Sequence, residues 1–413
     1  MPVNQVYKAT GEKIIDISDS TVTATNMAQG VTAYDATGEK ITGTGTIIGA
    51  PIILGLEVDF QNSTFTRLED AIGLNGGSDF DNFPMYQRRR CNVADDGTIN
   101  AYLGDETYTE DGSNGQVMVE QPKFYYKVVP VIISGDQLLK ARYYISNQNL
   151  DGYKVHPAFV GIDGEIKDYV YEGAYEGYIS NDKLCSVYAT HKQPSRTKTI
   201  AAFRTAAQNR GSHWRQAVIT VESMAQLLMI IEYGQFNMQD AIGYGYVASG
   251  NRAPTYIGGL RSYGNGTYGD KSSQSASVQW RGKENPWGNL QEFVDGIKVA
   301  DGIVYIAKAY EFSDETLEPY IQATSKYCTT SGYIKYFIYI PGFDWLFLPY
   351  TTGGNSSLPI GDYASKIIND ANRFVLYIGG YFKEGVDAGA FRMGDDYWNN
   401  TSPYVGSRLT YIM

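Results

Sequence analysis

Short runs in which apolar and polar residues alternate, separated by glycine-containing turns, dominate this chain. Ile297-Lys298-Val299-Ala300 and Ile303-Val304-Tyr305-Ile306 enclose Asp301-Gly302, and Asp96-Gly97 and Asp163-Gly164 sit between further β-rich runs. An Asp-Gly link of this kind favours the tight turn whose twist matches paired strands, so three hairpins are predicted. The aromatic run Gln121 to Val129 predicts one more strand, mostly buried, and His156-Pro157-Ala158-Phe159 leads into the second hairpin. Only two stretches carry helical spacing. One runs from Thr199 to Arg210 with Ile200, Phe203, Ala206 and Ala207 on one face, and Gly211 is placed to close it in a left-handed conformation. The other has Thr220 as N-cap and Glu222 in its first turn, with Met224, Leu227, Leu228 and Ile231 as the buried stripe.

Ahead of this lies an internal repeat: Tyr7-Lys8-Ala9-Thr10-Gly11-Glu12-Lys13-Ile14 recurs as Tyr34-Asp35-Ala36-Thr37-Gly38-Glu39-Lys40-Ile41. Each copy predicts two short strands around a Thr-Gly turn. Two such units bury little by themselves and need a partner, either sister chains or another protein. The composition changes at Gly49-Ala50-Pro51, so residues 1–50 are read as a small all-β repeat region and 51–413 as a large globular domain. Near the other end, Arg373 to Gly380 predicts a buried strand ending in a turn. Tyr381 to Asp387 breaks the pattern, Ala388-Gly389-Ala390-Phe391 returns to small core residues, Arg392 to Pro403 is polar and aromatic, and Val405 to Tyr411 closes as a strand.

The totals sharpen this picture. In 413 residues, 43% are hydrophobic and 19% charged, which allows a full core and excludes disorder. The 35 Tyr and 45 Gly suggest a loop-rich β protein that presents a binding surface, since tyrosine offers large amphipathic contact area at small entropic cost. A formal charge of −11 lacks the positive field that a phosphate backbone requires, so nucleic acid is excluded as a partner. The one basic run, Arg88-Arg89-Arg90, is expected to be a solvated or salt-bridged edge. Cys91, Cys185 and Cys328 are far apart and have no CxxC spacing, so they are read as buried or incidental thiols. Met1-Pro2-Val3-Asn4-Gln5 begins no charged-then-apolar signal segment, and no apolar run approaches the ~20 residues of a membrane span. Synthesis in a bacterial cytoplasm without Sec export or membrane insertion is therefore expected.

The segment Trp280 to Gly296 combines two tryptophans, a helix-barring proline and an Asp-Gly turn signal, and predicts a tightly packed loop running into a buried strand. Within it Trp287, Gly288, Asn289, Leu290, Glu292, Phe293, Asp295 and Gly296 resemble the Trp-Gly-Asn-hydrophobic-x-Glu-aromatic-x-Asp-Gly signature of the C-type-lectin-like fold. That fold occurs in formylglycine-generating-enzyme relatives and in the variable proteins of diversity-generating retroelements. The resemblance implies an α+β fold with two helices, antiparallel sheets, a long loop-rich insert, and adjacent N- and C-terminal strands. Residues 231–243 resemble the segment that follows the helices in phage members, and the N-terminal repeat, with residues 27–33 between its copies, is similar to N-terminal segments of phage tail proteins. In the retroelement-diversified family the region matching residues 372–411 carries variable ligand-binding positions. Carried onto this chain, they are Tyr381, Phe382, Lys383, Glu384, Val386, Asp387, Arg392, Asp395, Asp396, Tyr397, Trp398, Asn399, Asn400 and Tyr404. The function so implied is a phage tail receptor-binding protein, carried on the virion, whose partners are a bacterial surface protein or glycan and other tail proteins met through the repeats. A homotrimer is one assembly this allows.

No enzyme, cofactor or metal is expected. The copper-binding cysteine pair of the catalytic relatives has no counterpart, and His156, His191 and His213 are scattered without ligand spacing. No Gly-x-Ser-x-Gly elbow is present. Asp79-Phe80-Asp81-Asn82 and Asp395-Asp396 lack calcium-loop spacing. Glu284-Asn285-Pro286 departs in order from the Glu-Pro-Asn triplet of calcium-dependent lectins. A sugar would therefore stack on tyrosines and Trp398 without metal. Glu292 and Asp295 are expected to be buried and paired to backbone donors or to an arginine such as Arg408. The competing expectations are an inactive or unrecognised formylglycine-generating-type enzyme, and a purely structural tail or baseplate protein.

Overall fold

The computed structural model describes residues 5–10, 13–18, 20, 23, 32–42, 50–314, 316–367 and 373–413. The chain divides into two compact units, Met1–Pro51 and Ile52–Met413. In the first, Gln5–Tyr7 pairs with Lys13–Asp16 and Thr32–Tyr34 with Lys40–Thr42, so each repeat copy is a separate antiparallel hairpin. Asp35 closes the second turn by accepting from the amides of Thr37 and Glu39. Residues 24–31, which hold most of the segment between the copies, lie outside the described residues.

Among its described residues the second unit has three large sheets and two two-stranded ones. A five-stranded sheet runs in the order Lys154–Val155, Tyr125–Ser134, Gln137–Ser146, Ile53–Asp59, Thr64–Glu69. A six-stranded sheet runs Trp214–Gln216, Arg408–Tyr411, Tyr169–Glu176, Gln116–Pro122, Arg89–Val93, Ile99–Tyr102. The largest is centred on Gln291–Ala300 and Arg373–Ile378, with Met393–Tyr397 beyond and Val405–Gly406 joined in parallel to Gln291 and Glu292. All ten residues of Gln291–Ala300 are buried, as a strand covered on both faces must be.

This arrangement corrects the expected fold class. Both predicted helices form, as α1 (Ile200–Gln208) and α2 (Ile219–Tyr233), followed by the short α3 (Met238–Ala241). Yet in the structure described only 11% is helical against 36% in strands, and the fold is mostly β with curled sheets, not α+β. The segments predicted as loop-rich insert supply strands of their own, Tyr320–Thr324, Gly332–Phe337 and Pro349–Thr352 among them. Of the described helices, none is long and apolar enough to cross a membrane.

Local expectations fare unevenly. Thr199 caps α1 by accepting from Ala202 N at 3.1 Å. Gly211 does have a positive φ, 153°, but it lies beyond the helix end, since α1 is capped by Asn209 in the right-handed region. The N-cap of α2 is Val218, not Thr220, and the left-handed cap comes at Gly234, φ 66°. Buried on almost every side, α2 needs no polar cap to hold it in place. Asp96-Gly97 and Asp301-Gly302 turn true hairpins, whereas Asp163-Gly164 joins only the single bridge Val160 to Ile166. The predicted strand 121–129 is two strands that meet near Lys123 and Phe124.

The terminal strands are also placed differently. Arg408–Tyr411 lies between Trp214–Gln216 and Tyr169–Glu176, while Ile53–Asp59, the first strand of the unit, belongs to another sheet. Arg408–Tyr411 is therefore flanked by one strand from before α1 and one from between α1 and α2.

Candidate functional site

The signature segment is a buried electrostatic frame. Trp280 Nε1 donates to Glu232 Oε2 at 2.9 Å and Trp287 Nε1 to the Tyr244 carbonyl at 3.2 Å. Gly288 and Asn289 both sit in the left-handed region, φ 76° and 58°, where a β-carbon at Gly288 would come within 2.8 Å of Val247. This turn points the Asn289 amide at Glu176 Oε2 and brings Leu290 N to Glu176 Oε1 at 3.1 Å. Burial pushes Glu176 up to about 8, against the pull of Arg408 and these donors. Glu292 pairs with Arg408 at 2.7 Å, and Asp295 with Arg204 at 2.5 Å, so both acids have the structural role expected of them.

Arg88 and Arg90 are likewise interior. Arg88 pairs with Glu172, while Arg90 donates to the Gly282 carbonyl, Tyr175 Oη and Gln279 Oε1; Arg89 alone faces solvent, on Glu120. The basic run is therefore two buried ties and one salt-bridged edge residue. All three cysteines are free and buried.

The C-terminal loops hang on this frame. Phe382 N donates to the Asn289 carbonyl at 3.0 Å, Gln291 N to the Tyr404 carbonyl at 3.0 Å, and Gln291 Nε2 to Glu384 Oε1 at 3.2 Å. Gly379 and Gly380, φ 90° and 80°, make the turn that starts the first loop; a β-carbon on Gly380 would meet that of Ala388 at 2.6 Å. The rings of Tyr381 and Tyr404 lie 4.5 Å apart at 34°, over Phe382, which is 5.7 and 5.8 Å from them.

The predicted site residues thus separate by exposure. Lys383, Tyr397, Asn399, Asn400 and Tyr404 are exposed. Tyr381, Glu384, Val386, Asp387, Asp395, Asp396 and Trp398 are half-buried. Phe382 and Arg392 are buried and leave the candidate set: Phe382 is the floor of the tyrosine pair, and Arg392 is tied to Glu384 at 2.8 Å and to the Met393 carbonyl. Burial works against the Arg392 charge, but Glu384 more than offsets it and raises its pKa. Trp398 packs on the cluster of Trp214, Phe293 and Leu409, an anchoring contact. Asp396 Oδ1 accepts from Tyr397 N and from Asn400 Nδ2, both at 2.8 Å, and so fixes the turn that carries Asn399.

Two groups of residues escaped sequence reasoning. Tyr333 Oη donates to Asp387 Oδ1 at 2.6 Å, and burial together with that carboxylate pushes Tyr333 up to about 12. Val386 lines a small cleft of about 160 Å³ with Asn237, Asp240, Lys271, Ser356 and Ser357. Both contacts join segments far apart along the chain, so no local pattern announces them. Among the described residues no three His, Cys, Asp or Glu side chains are grouped as metal ligands.

No protein-family model matches the chain, and no curated protein matches it. Among solved structures it is similar to PvdO from Pseudomonas aeruginosa, at 11% identity and a TM-score of 0.31, over 74% of this chain and 98% of that one. It is also similar to the U1 variant of the Major Tropism Determinant, at 9% identity and a TM-score of 0.28, over 99% of this chain and 81% of that one. The P3c variant of the same protein gives 10% identity and a TM-score of 0.27, over 99% and 80%. Each of these scores is below 0.5, and none bears on function.

Proposed function

We propose that this chain is a receptor-binding protein of a phage tail, which recognises a bacterial surface protein or glycan through its C-terminal loops and attaches through its N-terminal hairpins. The observation that carries this reading is the stacked Tyr381–Tyr404 pair, with Tyr404 exposed, Tyr381 half-buried, and the Tyr404 carbonyl held by Gln291 of a fully buried strand. Rigid aromatic side chains on a fixed frame lose little entropy on binding, while Lys383 and Asn399 offer polar contacts that can change identity without disturbing the core. Diversified positions would belong on such a face. Among the described residues each hairpin strand pairs only with its own partner, and short β units of this kind join neighbours through their edges.

The test is adhesion of the labelled chain to a panel of bacterial isolates. Tyr381→Ala with Tyr404→Ala should abolish binding to strains that the parent binds, with a nearly unchanged melting midpoint. Undiminished binding by the double variant would remove the site. Absence of binding to any strain that the phage infects would favour a structural tail role.

A further inference from the structure

A second cleft, of about 450 Å³, has no part in the C-terminal loops. Ser78, Asp81, Gln87, Asn265, Thr267 and Arg281 line it. Its volume suits a few sugar rings and exceeds what a single ion needs. Arg281 holds φ 42°, an uncommon conformation for a bulky residue, and its amide is fixed by Thr267 Oγ1 at 3.1 Å.

The charge at this cleft is already spoken for. Arg281 donates to both Glu232 oxygens and to Asp81 Oδ1, each at 2.9 Å, and Arg88, the other arginine in the wall, is occupied by Glu172 and by Gln121 at 2.9 Å. Neither cation is left for an acidic ligand. Asp81 keeps 61% of its side chain exposed, so the remaining field is negative. The groups still open are the exposed Gln87 amide, the exposed Ser78 hydroxyl, the second Asp81 oxygen and the Asn265 amino group, whose partner oxygen is used by Arg90 N at 2.7 Å. Planar amides and a carboxylate are the groups that bridge neighbouring hydroxyls.

The turn that supplies Asn265 and Thr267 also carries Tyr263 and Tyr268, stacked at 4.2 Å and 31°, with Tyr263 44% exposed. Gly266 N closes this turn on the Tyr263 carbonyl at 2.9 Å. The two tyrosines flank the lining residues Asn265 and Thr267 along the chain, and an exposed aromatic face is what takes the apolar C–H face of a sugar ring. We infer that this cleft is a separate binding site for a neutral oligosaccharide.

The full chain, labelled and applied to an array of neutral, sialylated and uronic-acid oligosaccharides, tests this. The parent and a Tyr381→Ala/Tyr404→Ala variant should both retain neutral members. Gln87→Ala with Tyr263→Ala, two exposed positions, should weaken that retention by about tenfold or more, as loss of a stacking and a hydrogen-bonding contact does. Equal melting midpoints would tie the loss to the cleft. Retention of no neutral member, preference for acidic members, or retention unaffected by Gln87→Ala/Tyr263→Ala would each overturn the assignment. If retention were lost only in the Tyr381→Ala/Tyr404→Ala variant, sugar binding would belong to the C-terminal face and the cleft would be excluded.

Discussion

Arg408 and Glu292 meet at 2.7 Å with both side chains buried, and this contact fastens the last strand of one sheet to the central strand of another. The same guanidinium donates to the carbonyls of Gly173, Glu284 and Asn285 at 3.0, 2.8 and 3.1 Å. Arg408→Ala strands a buried carboxylate and should cost about 3–5 kcal/mol, measured by urea unfolding. Arg408→Lys keeps the charge but not the fork, and should recover only part of that loss. A cost below about 1 kcal/mol for the alanine variant would place the pair among ties of surface strength.

Within the candidate face, stability should separate floor from display. Phe382→Ala empties a fully buried site and should cost about 3–5 kcal/mol. Asn399→Ala, at an exposed turn, should stay within about 0.5 kcal/mol. Thermal melts of the two variants check the order, and similar costs would mean that the turn is not a free display position.

Acid should destabilise the fold through His156. This histidine is fully buried, and burial lowers its pKa to about 3 from an ordinary 6.5. Its Nδ1 accepts from Ala158 N at 3.3 Å, and the rings of Phe124, Tyr126 and Trp345 surround it. The unfolded chain binds a proton below pH 6.5 that the folded one refuses. The histidine's contribution is therefore intact above 6.5 and declines as pH falls toward 3, by about 1.4 kcal/mol per pH unit. His156→Asn retains an acceptor for Ala158 and should show a shallower slope between about pH 4 and 6. Parallel slopes for the two proteins would contradict the burial of a neutral imidazole.

Gly380→Ala tests how firmly the first loop is set. The added β-carbon meets Ala388 at 2.6 Å in a backbone of φ 80°, so the turn must move. A loss of about 1–3 kcal/mol is expected, together with weaker adhesion, because the strain displaces Tyr381 from Tyr404. Unchanged stability would show that the turn tolerates an ordinary residue.

Residues 52–413 bury an extensive core of their own. Removing residues 1–51 should leave the main melting midpoint within about 2 °C and adhesion intact. Incorporation into phage particles should be lost, on the attachment role proposed for the hairpins. A large fall in the midpoint would mean that the repeats are part of the larger unit's stability.

What could be read from the chain was local. The Asp-Gly turns at 96–97 and 301–302, the apolar stripes of α1 and α2, and the burial of Glu292 and Asp295 inside their motif all rest on nearby residue chemistry or a short motif. The failures come from contacts between distant segments. Arg90 reaches Gly282 across 192 residues, so a run that looks like a charged edge is mostly interior. Phe382 and Arg392 stand among loop-like neighbours, but Tyr381, Tyr404 and Glu384 cover them. The weight of β structure was hidden for the same reason: a strand such as Val405–Gly406 gains its partner, Gln291 and Glu292, only when a remote segment comes alongside.

Because Arg408–Tyr411 occupies an inner place in its sheet, the sheet cannot close until those residues have left the ribosome. Every change between 381 and 404 is thus made upstream of a strand that folding requires. A frameshift or premature stop in that region yields a chain that lacks this strand, whereas an in-frame exchange of side chains still delivers it. The position of one short strand therefore makes an intact reading frame through the loops a condition for closing this sheet.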